Sequence, residues 1–482
     1  MRGYLVLAAA AVGLAACVSM TVADEDPNLW LEDIHGDKAL AWVKAENEKS
    51  VARLEGDKRY ATYEAEALKI FTAKDRLSIP SFRAGGVDNV WQDDKHPHGV
   101  WRHATLKSFL AGRADWKTVL DLDELSRKEG KNWFYKGSDC LQPDDTLCLV
   151  SLSDGGGDAV EIREFDAAKG TFVDGGFRID RAKQSADWLD RDTLLIGRAI
   201  DESETTESGY AAVVREVKRG QKLSDGKIVF RGERKDTGVG TAVLQDPSGR
   251  VDAVLFERRV GFFDVEYHLQ GPDGTHKINI PTSAALEGYV DGQVIFALRT
   301  KWDRFETGAL VALDLAAVRK DPEAALKAAE LIVQPSASQT IDGTVVTRHT
   351  VVVQLLDNVK GAVDVYRKGK GAWTSRRLKL PKNSALAVRA SQQSGSQLFV
   401  TSESFLEPTR MWSAEMMHQL ATCEGCLART IFKEALYADL TIFRTEHFFK
   451  CCELASKSRC DISLNAFVDN TLDDACCDCC AG

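Results

Sequence analysis

Residues 251–274, VDAVLFERRVGFFDVEYHLQGPDG, hold two β-rich runs, 251–256 and 262–269, and then Asp273-Gly274, a dipeptide suited to a tight hairpin. The same grammar extends in both directions. Further β-rich runs occupy 160–165, 193–200, 211–217, 294–298, 345–356 and 398–405, and Asp225-Gly226, Asp291-Gly292 and Asp342-Gly343 supply more turn chemistry. Trp101, Trp116, Trp133, Trp188, Trp302 and Trp373 lie near these runs without a strict repeated motif. Residues 322–331 read as the one helix set into this region, with Asp321 as its cap and Pro322 at its first position.

Short strands spread over roughly 330 residues overfill a single sandwich, whereas β-propellers repeat radially at about 40–50 residues per blade. The expected fold is mainly β, a propeller of about seven blades over residues 78–412. Residues 24–77 read differently. Apolar side chains recur at helical spacing in two stretches, one from a cap at Asp37 to about Leu54 and one from Tyr60 to Phe71, which makes a helical arm. Such a pair cannot satisfy its own apolar face and must dock on something.

The 482 residues carry 44% hydrophobic and 28% charged side chains, the composition of a globular protein. A net charge of −10 argues against nucleic acid as a partner, because phosphate binding requires a basic face. Residues 1–17 read as a secretory signal: Met1-Arg2, the apolar run GYLVLAAAAVGLAA, then Leu14-Ala15-Ala16-Cys17, which resembles a bacterial lipobox. That reading makes Cys17 a lipidated residue and the protein exported, periplasmic or anchored at the outer membrane. A plain signal peptide with a chance cysteine is the alternative.

Specific stretches also point to a family. Asp26-Pro-Asn-Leu-Trp-Leu-Glu-Asp33 with Trp42-Val43-Lys-Ala-Glu46-Asn47 resembles the start of the prolyl oligopeptidase family of serine peptidases. Trp101-Arg102-His-Ala-Thr105, Trp116-Lys-Thr-Val-Leu-Asp121, Val150-Ser-Leu-Ser-Asp-Gly-Gly156, Glu164-Phe165-Asp166 and Gly209-Tyr210 with Lys218-Arg219-Gly220 resemble its first blades. Phe405-Leu-Glu-Pro408 resembles its last propeller strand. The resemblance covers about residues 24–412 and implies a seven-bladed propeller that caps an α/β-hydrolase domain and admits short peptides for cleavage after proline. The arm would then pack on that hydrolase domain.

The chemistry such a hydrolase needs is not legible. A nucleophile elbow requires G-x-S-x-G on a strained turn, and the pattern occurs nowhere in the sequence. Only His418 and His447 follow the propeller region, without recognisable triad partners. No catalytic residue is therefore assigned, and the chain as written is expected to be inactive. The alternative from another class is a non-catalytic propeller that binds peptides or an envelope protein.

Other groups read as scaffold. His96-x-His98 with His103 has metal-ligand spacing, but Pro97 and Gly99 mark a solvated turn, so no metal or other cofactor is expected. Asp121-Leu-Asp123-Glu124 lacks the glycine and glutamate of a calcium loop and reads as a surface turn. Asp201, Glu202, Glu204 and Glu207 read as a solvated loop rather than glycosidase acids. Cys140 and Cys148 flank Pro143-Asp144-Asp145, a turn between paired strands. Two buried thiols are the leading reading, and a bridge in an oxidising compartment is the alternative.

The composition changes abruptly near residue 413. All 11 prolines lie at or before Pro408, only Gly425 and Gly482 follow Ser413, and nine of the 12 cysteines crowd into 413–482. One C-x-x-C unit, Cys423 to Cys426, is too little for a paired-unit metal site. The tail reads as a helical or unfolded foreign segment, such as a shifted reading frame, with a metal-binding tail as the lesser reading.

Overall fold

The computed structural model describes residues 26–33 and 35–415. The expectations for the signal segment, Cys17 and residues 416–482 fall outside them. The chain divides into two compact units, the break falling between Lys74 and Asp75.

In the first unit a 3-10 turn, Leu29–Glu32, precedes α1 (Asp37–Glu55) and α2 (Tyr60–Phe71). Asp37 is the first helical residue of α1 and not its cap: Gly36 holds the cap position, with no side-chain bond. Trp30 packs edge-on to Trp42 at 6.2 Å, and Lys38 Nζ lies 4.1 Å above the Trp30 ring. Among the described residues of the arm Ala39 is the one buried hydrophobic, while Trp42, Leu54, Tyr63, Leu68 and Phe71 are exposed.

The second unit is a seven-bladed β-propeller. Seven antiparallel sheets follow in chain order over residues 81–121, 133–182, 185–231, 238–278, 285–333, 339–377 and 385–415. In each, the strands are neighbours in sequence order, so the ladder runs outward, except that in the second blade a fifth strand, Arg178–Ala182, pairs with the third, Val160–Asp166. In most seams the first strands of adjacent blades lie against one another, which makes the first strands the innermost. The core is correspondingly divided. Seven apolar clusters sit one in each seam between adjacent blades. A sheet with two buried faces packs this way, which is why second strands such as Thr350–Asp357 read as near-continuous apolar runs.

No strand pairing joins the last blade to the first among the described residues. Their seam is closed by side chains: Phe399 stacks on Phe82 at 4.8 Å and meets Phe109 edge-on at 5.5 Å. The seventh blade has three described strands, the last being Arg410–Glu415. That strand carries the β pattern past the compositional break at residue 413.

Several expectations are corrected by the ladders. Residues 345–356 are not one strand but parts of two, Gln339–Thr347 and Thr350–Asp357, joined at Arg348-His349. Periodicity alone cannot locate a turn built from residues other than Gly or Pro. Asp291-Gly292 does form the two-residue turn, with φ of 48° and 79°. Asp342-Gly343 instead lies inside a strand at a bulge, and neither residue has positive φ. Phe262 and Phe263 precede their strand, Val265–Gly271, and Phe405 to Pro408 form a loop before Arg410–Glu415. The expected helix at 322–331 is Pro322–Lys327, preceded by a second helix, Leu315–Lys320; Leu331 already belongs to a strand. Asp121-Leu-Asp-Glu is no surface turn. Asp121 caps the helix Leu122–Glu129 by accepting from Glu124 N at 2.9 Å, and left-handed Gly130 ends it.

One turn stores strain. Asn358-Val359 links the second and third strands of blade 6 with φ of 48° and 60°, and a β-branched residue is a poor fit to the left-handed region. Val359→Gly is expected to raise stability by about 1 kcal/mol, read as a higher urea midpoint with an unchanged slope. A lower midpoint would contradict this.

Candidate functional site

Strand direction sorts the loops. Turns from first to second strand gather at one end of the ring, and loops from second to third strand gather at the other. The two ends differ in chemistry. The loops between second and third strands carry Ile200, Tyr210, Phe262, Phe263, Val359, Phe405 and Leu406, all exposed. Phe262 is 88% and Phe405 109% exposed, in loops where a free-standing surface would favour polar side chains. Clustering of large apolar groups on one end marks an interaction surface.

The opposite end is polar. A cavity of about 500 Å³ opens there among the hairpins of blades 4 to 7, with Gln142 of the blade 2 hairpin also on its wall.

Between the ends runs the axial bore, and the inner strands decide what lines it. In four blades the inner strand carries a one-residue bulge at a charged side chain: Lys136, Glu287, Asp342 and Arg389. A bulge takes a residue out of the ladder and re-aims its side chain. Lys136, Asp342 and Arg389 are exposed although they sit mid-way along innermost strands, which puts them in the water of the bore. A glycine or alanine follows each bulged residue. At Gly288 a Cβ would meet Val346 Cγ1 at 2.8 Å, so glycine lets the inner strands of blades 5 and 6 close together.

Asp139, three residues beyond Lys136 on blade 2, and Asp187 on blade 3 also stand on inner strands. Thr241 donates its hydroxyl to Asp187, and Trp188 Nε1 donates to the Asp139 carbonyl at 3.1 Å. Asp139 touches water yet is walled in by protein. Confinement first, and the neighbouring Asp187 carboxylate second, push its carboxyl up to about 7. The unfolded chain releases this proton near 3.8, so the folded state bears no penalty below that pH. The penalty grows as pH rises toward 7 and is constant above. Asp187→Asn is expected to bring the Asp139 pKa down toward the usual carboxylate range, measured by carboxyl ¹³C shifts against pH. An unmoved titration would remove the coupling.

The other sequence candidates fall away from the bore. His98 places Nδ1 2.6 Å from Asp123 Oδ1 and Nε2 2.6 Å from Asn132 Oδ1. The carboxylate bond raises its pKa, and both ring nitrogens are taken up by side-chain partners. His96 bonds Asp93 at 2.9 Å and His103 bonds Asp88 at 2.5 Å, so the three histidines have separate partners. Among the described residues no group of three His, Cys, Asp or Glu side chains is placed to hold a metal. Glu204 is buried, contrary to the solvated-loop reading: it pairs with Arg215 and accepts from Ile200 N at 3.0 Å. Cys140 and Cys148 face each other across the first hairpin of blade 2, Cα atoms 3.9 Å apart and sulfurs 2.04 Å apart.

Comparison with known proteins agrees with this ring. Residues 19–423 match the family model for the N-terminal β-propeller domain of prolyl oligopeptidase. The chain belongs to that family. It is 42% identical over 400 residues to an uncharacterised peptidase of Sinorhizobium fredii, covering 81% of this chain and 55% of that one. An uncharacterised peptidase of Rickettsia prowazekii is 26% identical over 416 residues, covering 83% and 57%. A post-proline cleaving enzyme from Rickettsia typhi superposes with a TM-score of 0.74 at 24% identity, covering 82% of this chain and 60% of that one, and shares the fold. The chain thus spans a little over half the length of these relatives. Within this propeller family the charged bulges were the residues sequence reading missed. Their signal was present as a charged residue before Gly or Ala inside a β-run, at Lys136-Gly137, Glu287-Gly288, Asp342-Gly343 and Arg389-Ala390.

Proposed function

We propose that this propeller is the access half of a prolyl oligopeptidase-like serine peptidase, admitting short peptides along its bore and excluding folded proteins. The exposed apolar loops of one end carry the reading, because they suit a docked hydrolase domain while the bore behind them stays open. This chain supplies passage and shape but no G-x-S-x-G nucleophile, so catalysis belongs to the docked domain. Alone, the chain is expected to leave a proline-containing chromogenic peptide intact and to take no label from a fluorophosphonate. Mixed with the segment of the Sinorhizobium fredii relative that it does not span, it is expected to restore size-limited hydrolysis. Labelling of a serine in the chain alone, or no effect of the propeller on hydrolysis by the added segment, would overturn the reading.

The export signal and a lipidated Cys17 form part of the same proposal, tested by palmitate incorporation and its loss in Cys17→Ser. An exported protein would also keep Cys140 and Cys148 oxidised. For residues 413–482 we propose a shifted reading frame, which resequencing of the locus tests: hydrolase-like sequence in another frame supports it, and none in any frame refutes it.

A further inference from the structure

The polar cavity has a specific imbalance. Three guanidinium groups line it from successive blades: Arg250 in blade 4, Arg319 after the third strand of blade 5, and Arg348 in blade 6. All three are exposed. The four carboxylates that also line it are already engaged. Asp246 and Asp252 take Arg250 at 3.2 and 2.9 Å, and Tyr289 donates to Asp252 at 2.8 Å. Asp291 holds His349 at 2.8 Å, while Asp314 caps the following helix at Ala317 N and accepts from Gln293 at 3.0 Å. Arg319 spends one nitrogen on the Asp252 carbonyl. The Arg348 guanidinium has no partner among the described residues.

The lining sets three guanidinium groups against four carboxylates, and the donors left open are those of Arg348 and the remaining nitrogens of Arg319. A guanidinium presents five N–H groups in a planar fork that matches a carboxylate. Gln393 and Ser394 of blade 7 stand on the same cavity wall, and their side chains make no other bond among the described residues. A volume of about 500 Å³ takes a few peptide residues, not a folded chain.

We propose that this cavity is a docking site for the carboxylate of an incoming oligopeptide, gripped by Arg348 with Arg319 as second donor, at the polar mouth of the bore. The proposal rests on the peptide-access reading and gives it a substrate preference: peptides that present an anionic end enter held by that end. The carboxylate comes from the C-terminus or from an acidic side chain, and both sources share the chemistry.

Isothermal titration of the full chain with a proline-containing octapeptide tests it. The peptide is used as the free acid, as the C-terminal amide, and as the amide with one internal Gln→Glu change. A charge-assisted bidentate contact predicts about tenfold tighter binding of the free acid than of the amide. Arg348→Ala is expected to abolish that difference with an unchanged melting temperature, and Arg348→Lys to restore part of it. If the internal glutamate recovers the lost affinity, the site reads side-chain carboxylates as well; if it does not, the C-terminus is the ligand. Equal binding of acid and amide, or a difference that survives Arg348→Ala, overturns the proposal. No binding of any peptide also overturns it, while the hydrolysis-restoration assay decides separately whether the access reading stands.

Discussion

Phe399→Ala is expected to lower unfolding stability by about 4 kcal/mol and to loosen the ring at one place. The side chain is fully buried between the first and last blades, sandwiched by Phe82 and Phe109. Truncation removes apolar area and leaves a cavity that rigid neighbouring sheets cannot collapse to fill. Among the described residues every other seam has an apolar cluster of at least six buried residues, whereas this one has five: Val87, Ala104, Phe109, Phe399 and Met411. A matched control is Phe256→Ala in the seam of blades 3 and 4, where the ring stacks on Phe230 at 5.0 Å. Both variants are expected to lose similar stability by urea titration. Only Phe399→Ala should raise amide exchange selectively in blades 1 and 7, because among the described residues that seam holds the smallest apolar cluster. Uniform exchange changes in both variants would show that the seam is no weaker than the rest.

The second large effect is expected at Asp88. Its carboxylate is buried and holds three donors at once: Arg83, Trp101 Nε1 at 2.7 Å and His103 Nδ1 at 2.5 Å. Arg83 in turn donates to the Asp145 carbonyl of blade 2 at 3.0 Å, so the cluster ties the first blade to the second. Asp88→Ala leaves the buried Arg83 guanidinium without its counter-charge, a loss of about 3–5 kcal/mol. Asp88→Asn keeps the shape but neither the charge nor one acceptor, and should fall between the two. The check is the pair of denaturation midpoints, together with the double variant Arg83→Met/Asp88→Leu. Removing both charges is expected to recover much of the loss, since an uncompensated charge costs more than an absent pair. If the double variant is as unstable as Asp88→Ala, packing and not charge explains the effect.

Both sites show how far the sequence reached. The strand run around Phe399 is visible from its periodicity, the segment at Trp101 only from the family resemblance, and α2 from its spacing, with bounds that match the expected Tyr60–Phe71. Turns without Gly or Pro, such as Arg348-His349, gave no local signal and merged two strands into one run. The short helix Leu122–Glu129 has a readable signal in Asp121, Glu124 and Gly130, whereas the acidic spacing on its own suggests a surface turn. The acidic stretch at Glu204 was read as solvated because its partner Arg215 lies on a different strand, and only that pairing makes burial tolerable.

The sequence by itself determined the class of the fold, the helical arm, the family of the propeller and the lack of a nucleophile motif among these residues. Each of these is written in near-neighbour terms, as period, turn chemistry or motif spacing. Tertiary structure alone decided which charged residues reach the bore, that one end is apolar and the other polar, and that Arg250, Arg319 and Arg348 share a cavity. Those facts depend on closing blades into a ring, where residues some 50 to 100 positions apart become neighbours through packing that local pattern does not encode.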